Sequence, residues 1–212
     1  MRAPFDLSVY VVLDPGMCAV RGLVETALAA AQGGATVVQL RDKHGDTAGR
    51  VAAGRAIMAA LAGTGARFVM NDDVEAALAL GAHGLHIGQD DGDPALTRAR
   101  IGPAMALGLS VESVAAARAV DPAVVDHVGA GPVFATATKA DHKAPLGFDG
   151  LAAVVAAAPV PAVAIGGLSA AHAAEALAAG ARGLAVVSAV CAAPDPQAAA
   201  RAIAAAVGRA RA

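Results

Sequence analysis

Short apolar runs alternate along the whole chain with stretches rich in Ala, Leu, Arg and Glu. The runs SVYVVLD (8–14), TVVQLRD (36–42), RFVMND (67–72), GLHIGQ (84–89), AMALGLS (104–110), VVDHVGAGPVF (124–134), PAVAIGG (161–167) and GLAVVSAV (183–190) have the length and composition of strands. Between them, VETALAAAQGG, DVEAALALG, ESVAAARAV, AAHAAEALAAG and PQAAARAIAAAV are helix-capable. Near-continuous apolar strands separated by helices suit a parallel sheet with helices over one face. Eight such units predict an α/β fold, a single-domain (β/α)8 TIM barrel spanning residues 1–212.

The 212 residues suffice for one domain that buries roughly 70% of the surface of its unfolded chain. The chain is 57% hydrophobic with no Trp and one Tyr, so its core is built from aliphatic side chains and Ala. A formal net charge of -2 offers no basic footprint for nucleic acid. The most apolar stretch, LAAVVAAAPVPAVAIGGL (151–168), reaches the length of a membrane span, but Pro159 and Pro161 divide it into a helix end followed by a buried strand. The N-terminal MRAPFDLSVYVVLD is interrupted by Asp6 and closed by Asp14, which makes a poor signal peptide. Cys18 and Cys191 are far apart in sequence and lack partners at metal-ligand spacing, so they read as apolar filling. A reducing, cytoplasmic setting with no membrane partner is the expectation.

A barrel of this kind assembles its active site at the C-terminal ends of its strands. The candidates there are Gln39, Arg41, Lys43, Asn71, Asp72, Asp73, Gln89, Asp91, Ser110, Thr136, Thr138, Lys139, Gly167 and Ser188. In QLRDK (39–43), strand alternation puts Gln39, Arg41 and Lys43 on one side and Leu40 and Asp42 on the other. The arginine fork and the mobile lysine charge suit phosphate oxygens. Alternatively, Arg41 pairs with Asp42 or Asp46, an exposed contact of about 0–1 kcal/mol. In NDD (71–73), Asp73 is placed to cap a helix beginning at Val74, leaving Asn71 and Asp72 nearer the barrel mouth. A carboxylate from this loop and one from Asp90–Asp91 can meet at one cation, where hard oxygen ligands favour Mg2+ over zinc. The alternative is that Asp90, Asp91 and Asp93 only decorate a solvent loop.

GPVFATATKADHKAPLG (131–147) carries two of the three lysines of the chain. Its Thr hydroxyls and Lys139 form a candidate anion surface, against the alternative of a loop kept soluble by charge. IGGLS (165–169) adds two glycines where a side chain would obstruct a phosphate, and VVSA (186–189) adds a hydroxyl.

Taken in order, QLRDK, NDD, HIGQDD, GPVFATATKAD, IGGLS and VVSAV closely resemble the thiamine-phosphate synthases, from the first strand to the last. Such enzymes join a hydroxymethyl-pyrimidine diphosphate to a thiazole monophosphate, releasing pyrophosphate, and the resemblance implies that reaction and its Mg2+. It also implies that Gln39, Leu40, Arg41, Asp42 and Lys43 form the segment contacting the pyrimidine diphosphate, with Asn71 and Lys139 adding contacts. Asp72 and Asp91 correspond to the magnesium ligands and Ser110 to a pyrimidine-side contact. Thr136, Ala137 and Thr138 correspond to the thiazole-phosphate loop, and Gly167, Val187 (through its backbone) and Ser188 to the contacts that close it. Arg41, Lys43 and Lys139 are implied to stabilise the departing pyrophosphate while positive charge develops at the pyrimidine methylene. Ala135 stands where many such enzymes have proline. Neither cysteine is expected to act covalently, His86 and His142 are expected to be structural or peripheral, and no obligate protein partner is implied. A thiazole tautomerase is the nearest competing enzyme, disfavoured by retention of both carboxylates and of TATK. A phosphate sensor, the non-enzymatic alternative, would bind without releasing pyrophosphate.

Overall fold

The computed structural model describes residues 5–136 and 144–212. Strands β1 (Val9–Leu13), β2 (Val37–Leu40), β3 (Arg67–Asn71), β4 (Gly84–Ile87), β5 (Ala106–Val111), β6 (His127–Ala130), β7 (Ala162–Ile165) and β8 (Leu184–Val186) pair in parallel, each with the next, and β8 closes onto β1. The predicted barrel is therefore present as a closed ring. Helices α1 (Leu23–Gln32), α2 (Thr47–Leu61), α3 (Val74–Leu80), α4 (Pro94–Ile101), α5 (Val114–Arg118), α6 (Gly147–Ala157), α7 (Ala173–Ala178), α8 (Ser188–Cys191) and α9 (Pro196–Arg211) lie in the connections and after β8.

The two-residue period of each strand creates two separate cores. Val9, Val11, Leu13, Val38, Leu40, Phe68, Met70, Leu85, Ile87 and Leu107 face outward and pack under the helices. Tyr10, Val12, Val37, Val69, Val163 and Ala185 face inward and fill the barrel itself. Register brings the inward residues level with one another, as where Val12 lies opposite Gln39 and Gln39 opposite Val69.

Helix starts follow local chemistry. Asp46, Asp73, Asp93, Ser113 and Asp195 each accept a hydrogen bond from an amide in the first helical turn, and Pro94 and Pro196 occupy first-turn positions where a missing N–H costs nothing. Stretch 151–168 divides as its prolines predict, with α6 ending at Ala157 and β7 beginning at Ala162. Among the described residues, no helix is long and apolar enough to cross a membrane. Cys18 and Cys191 are buried thiols, and Cys191 Sγ donates to Val12 O at 3.3 Å.

Two strands, β6 and β8, fall furthest short of their apolar runs. β6 begins only at His127, because Val124 and Val125 turn back onto Asp121 O, and ends before the cis Gly131–Pro132 bond. β8 stops at Val186, and Ser188–Cys191 forms a helical turn. Periodicity alone does not separate a short buried strand from a short buried helix.

Candidate active site

One cavity opens at the C-terminal ends of the strands, lined on one wall by Gln39, Arg41, Lys43, Asn71, Asp72 and Asp91 and on the other by Thr136, Gly167, Val187 and Ser188, with Ser110 between. The alternation of QLRDK does put Gln39, Arg41 and Lys43 on this side. Leu40 faces the outer core, and the Asp42 carboxylate closes its own turn by accepting from the amides of His44 (3.1 Å) and Gly45 (2.9 Å), so neither side chain lines the cavity. Arg41 faces Asp14 at 3.9 Å rather than Asp42 or Asp46, and Asp46 is occupied capping α2.

Asp72 and Asp91 share a corner of this cavity. Asp72 directly follows β3 in left-handed backbone (φ 60°), a conformation in which Asp is enriched among non-glycine residues. Burial raises the Asp72 carboxyl above its ordinary pKa, the nearby Asp91 carboxyl adds to the rise, and the Lys43 ammonium, bonded to Asp72 Oδ2, opposes it. Asp91 Oδ2 accepts from the Gly88 amide at 2.8 Å, which aims the other loop inward. Two crowded carboxylates relieve their repulsion by sharing a cation, so this donor set fits Mg2+, which keeps several waters and takes one or two carboxylates plus phosphate oxygens. Among the described residues, no group of three or more His, Cys, Asp or Glu side chains is arranged to hold a metal. Asp73 points away: it caps α3 through the Ala76 amide (2.9 Å) and accepts from Thr47 (2.8 Å) and Arg50 (3.0 Å). Burial opposes its ionisation, but these three donors together hold its carboxyl below the usual range.

The floor is a layer of inward polar side chains. Tyr10 donates to Gln39 Oε1 at 2.7 Å, and Gln39 Nε2 donates to Asn71 Oδ1 at 2.9 Å. With its oxygen committed to Gln39, Asn71 has its Nδ2 donors to offer an anion in the cavity it lines. Ser110 Oγ lies 2.9 Å from His86 Nε2. Burial lowers the pKa of His86 to about 4 and of His127 to about 3, so both rings are neutral.

That pair gives folding a defined pH dependence. The unfolded imidazoles bind protons near pH 6.5 and the folded ones only near 4 and 3, so the associated stability is complete above pH 6.5 and is lost as pH falls toward 4. Each ring contributes up to about 1.4 kcal/mol per pH unit in that window. Thermal unfolding between pH 7.5 and 5 should show a falling midpoint whose slope is smaller in His127→Leu; an equal slope in both proteins would contradict the assignment.

On the opposite wall, Gly166 (φ 105°) and Gly167 (φ 65°) turn the chain out of β7. A methyl on Gly166 would meet Pro132 Cα at 2.6 Å and one on Gly167 would meet Phe134 Cβ at 2.8 Å, so conformation and packing both demand glycine. The close approach lets Val133 N donate to Ile165 O (2.9 Å) and Phe134 N to Gly166 O (3.0 Å). Leu146 N returns to Pro132 O at 2.9 Å, which ties the start of α6 to the cavity wall at Pro132 and forms a base there. Thr136 reaches the rim from that base. Ala137, Thr138, Lys139, His142 and Lys143 lie outside the described residues. Tyr10, Asp14 and Glu112 join the site or its immediate support without a motif of their own; the only sequence signal for Asp14 and Glu112 is their place just beyond strand ends.

Phosphate chemistry at the mouth of a (β/α)8 barrel is the class of enzyme that this fold and cavity define. Residues 9–190 match the family model described as thiamine monophosphate synthase. The chain is 50% identical over 211 residues to the thiamine-phosphate synthase of Xanthobacter autotrophicus, with all of each chain covered, and 46% identical over 201 residues to that of Azorhizobium caulinodans, with 95% of each covered. The solved thiamine phosphate pyrophosphorylase of Pyrococcus furiosus superimposes with a TM-score of 0.88 at 31% identity, covering 98% of each chain. A 3-hexulose-6-phosphate synthase at 18% identity and a TM-score of 0.64 shares the fold alone. The chain belongs to the thiamine-phosphate synthase family, transferases of thiamine biosynthesis.

Proposed function

We propose that the chain condenses 4-amino-2-methyl-5-(diphosphooxymethyl)pyrimidine with thiazole phosphate, giving thiamine phosphate and pyrophosphate. The observation that carries this reading is the Asp72–Asp91 carboxylate pair, set beside Lys43 and Arg41 and facing the Gly166–Gly167 turn and Ser188 across one cavity. Two anionic ends of two substrates need two such walls.

Asp72 and Asp91 would hold Mg2+, which when bound would neutralise part of the diphosphate charge. Arg41 and Lys43 approach the same oxygens from the chain itself, and Lys43, now on Asp72, can transfer its ammonium to an arriving phosphate oxygen. The bond between the pyrimidine methylene and the diphosphate oxygen breaks with its electron pair leaving on pyrophosphate, where Lys139 completes the cationic set. Positive charge on the methylene is shared with the amino-substituted ring, and the thiazole nitrogen donates its lone pair to form the new C–N bond. Gly167, the Val187 backbone and Ser188, with Thr136 and Thr138, hold the thiazole phosphate so that the nitrogen is in line. Positioning and charge stabilisation suffice, and no protein nucleophile is required. A single domain over 1–212, a cytoplasmic location and no obligate protein partner complete the proposal.

Purified protein with both substrates and Mg2+ should release thiamine phosphate and pyrophosphate in equal amounts. Binding of both substrates without release, as in a sensor, would contradict it. The acceptor wall has its own test. Thr136→Val combined with Thr138→Val should weaken thiazole phosphate binding by about tenfold or more through loss of two hydroxyl donors to a charged group, whereas Lys143→Ala should change it by less than about twofold. Calorimetric titration with thiazole phosphate in the presence of Mg2+ and pyrophosphate measures both, and unchanged affinity in the double variant would remove the loop from this site.

A further inference from the structure

Beneath Ser110, the barrel floor holds two imidazoles, His127 buried and His86 half-buried on the cavity lining. His86, Gly108 and His127 lie side by side on β4, β5 and β6. A methyl group on Gly108 would meet His86 Nδ1 and His127 Nε2 at 2.5 Å each, so these two nitrogens flank the space that the glycine leaves open. The ring centroids are 6.1 Å apart. Among the described residues, His86 Nδ1 and both nitrogens of His127 have no hydrogen-bond partner, while His86 Nε2 is 2.9 Å from Ser110 Oγ.

Each ring is neutral and carries one N–H, whose position is fixed by what the nitrogens face. A buried N–H with no acceptor costs more than an unused lone pair. One arrangement turns both N–H groups toward an acceptor. His127 carries its proton on Nε2, on the side where the His86 Nδ1 lone pair flanks Gly108, and His86 carries its proton on Nε2, directed at Ser110 Oγ. Moving the His86 proton to Nδ1 sets it against His127 Nε2–H, or else drives the His127 proton to Nδ1, which faces no acceptor.

We infer that His86 is a positioning residue that acts through Ser110, donating from Nε2 to the serine oxygen and so turning the hydroxyl proton into the cavity. Ser110 then acts as a donor toward the substrate. The group it meets is an acceptor, which on the pyrimidine means a ring nitrogen rather than the amino group. This rests on the proposed function, which puts the pyrimidine on the Ser110 side.

Two measurements on the full chain test it. Long-range 1H–15N correlation of 15N-histidine-labelled wild-type protein at pH 7.5, with His86 assigned by loss of its signals in His86→Gln, should show the His86 proton on Nε2. A proton on Nδ1 would overturn the relay whatever Ser110 binds. In steady-state kinetics, His86→Leu should raise KM for the pyrimidine diphosphate about tenfold and change KM for thiazole phosphate less than about twofold. His86→Gln, whose amide nitrogen replaces the Nε2 donor, should restore most of the loss. The His86→Leu/Ser110→Ala double variant should lose no more than Ser110→Ala alone, and additive losses would overturn the coupling. If Ser110→Ala instead raised KM only for thiazole phosphate, the substrate placement would fall and the acceptor assignment with it, while the tautomer measurement would still decide the relay.

Discussion

Asp72→Asn and Asp91→Asn should each lower Mg2+-dependent turnover by about 100-fold or more while leaving the protein folded. Each amide keeps the shape of the side chain but gives up a charged oxygen, and the two carboxylates meet at this corner of the cavity. Asp72→Asn also strips Lys43 of its counter-ion, so its effect should exceed that of removing a metal ligand alone. Asp73→Asn is the internal control. Its side chain caps α3 and holds Thr47 and Arg50, so it should cost about 1 kcal/mol of stability and little turnover. A magnesium titration of turnover, paired with thermal unfolding, separates the two behaviours. Full activity in both the Asp72 and Asp91 variants across the titration would remove the metal from this corner.

Lys139→Ala and Ser188→Ala should fail differently. The lysine removes positive charge from the departing diphosphate, so the single-turnover rate at saturating levels of both substrates should fall about 100-fold. The serine removes a neutral hydroxyl from the thiazole phosphate wall, so KM for that substrate should rise about tenfold with a nearly unchanged single-turnover rate. Rapid mixing with both substrates reads the two effects apart. A wild-type single-turnover rate in Lys139→Ala, with slowing confined to Ser188→Ala, would reverse the placement of the two substrates.

The division of the chain into eight strand–helix units was legible because parallel buried strands are continuous apolar runs and because prolines and Asp caps punctuate them. Asp73 could be separated from Asp72 on the same grounds, since a cap needs only the amides that follow it. The inward side of QLRDK followed from the two-residue period, which also explains why Leu40 belongs to the outer core. What could not be read depends on register between strands. The Arg41–Asp14 contact, the Tyr10–Gln39–Asn71 chain and the approach of His86 to His127 across Gly108 join residues on different strands or strand ends, and no local pattern encodes which of them lie level. The start of α8 at Ser188 was hidden for another reason: VVSAV is apolar enough for either state, and its backbone turns only where β8 meets the rim.

The central claim is that one corner of the barrel mouth brings metal and diphosphate together while the opposite wall takes the second phosphate. A crystal structure grown with Mn2+ in place of Mg2+, pyrophosphate and thiazole phosphate tests it most directly through the anomalous signal of the metal. A metal peak bridging the Asp72 and Asp91 carboxylates and a pyrophosphate oxygen, with the thiazole phosphate on Gly167 and Ser188, is the predicted result; pyrophosphate bound with the metal elsewhere, or on the Gly167–Ser188 wall, would contradict it.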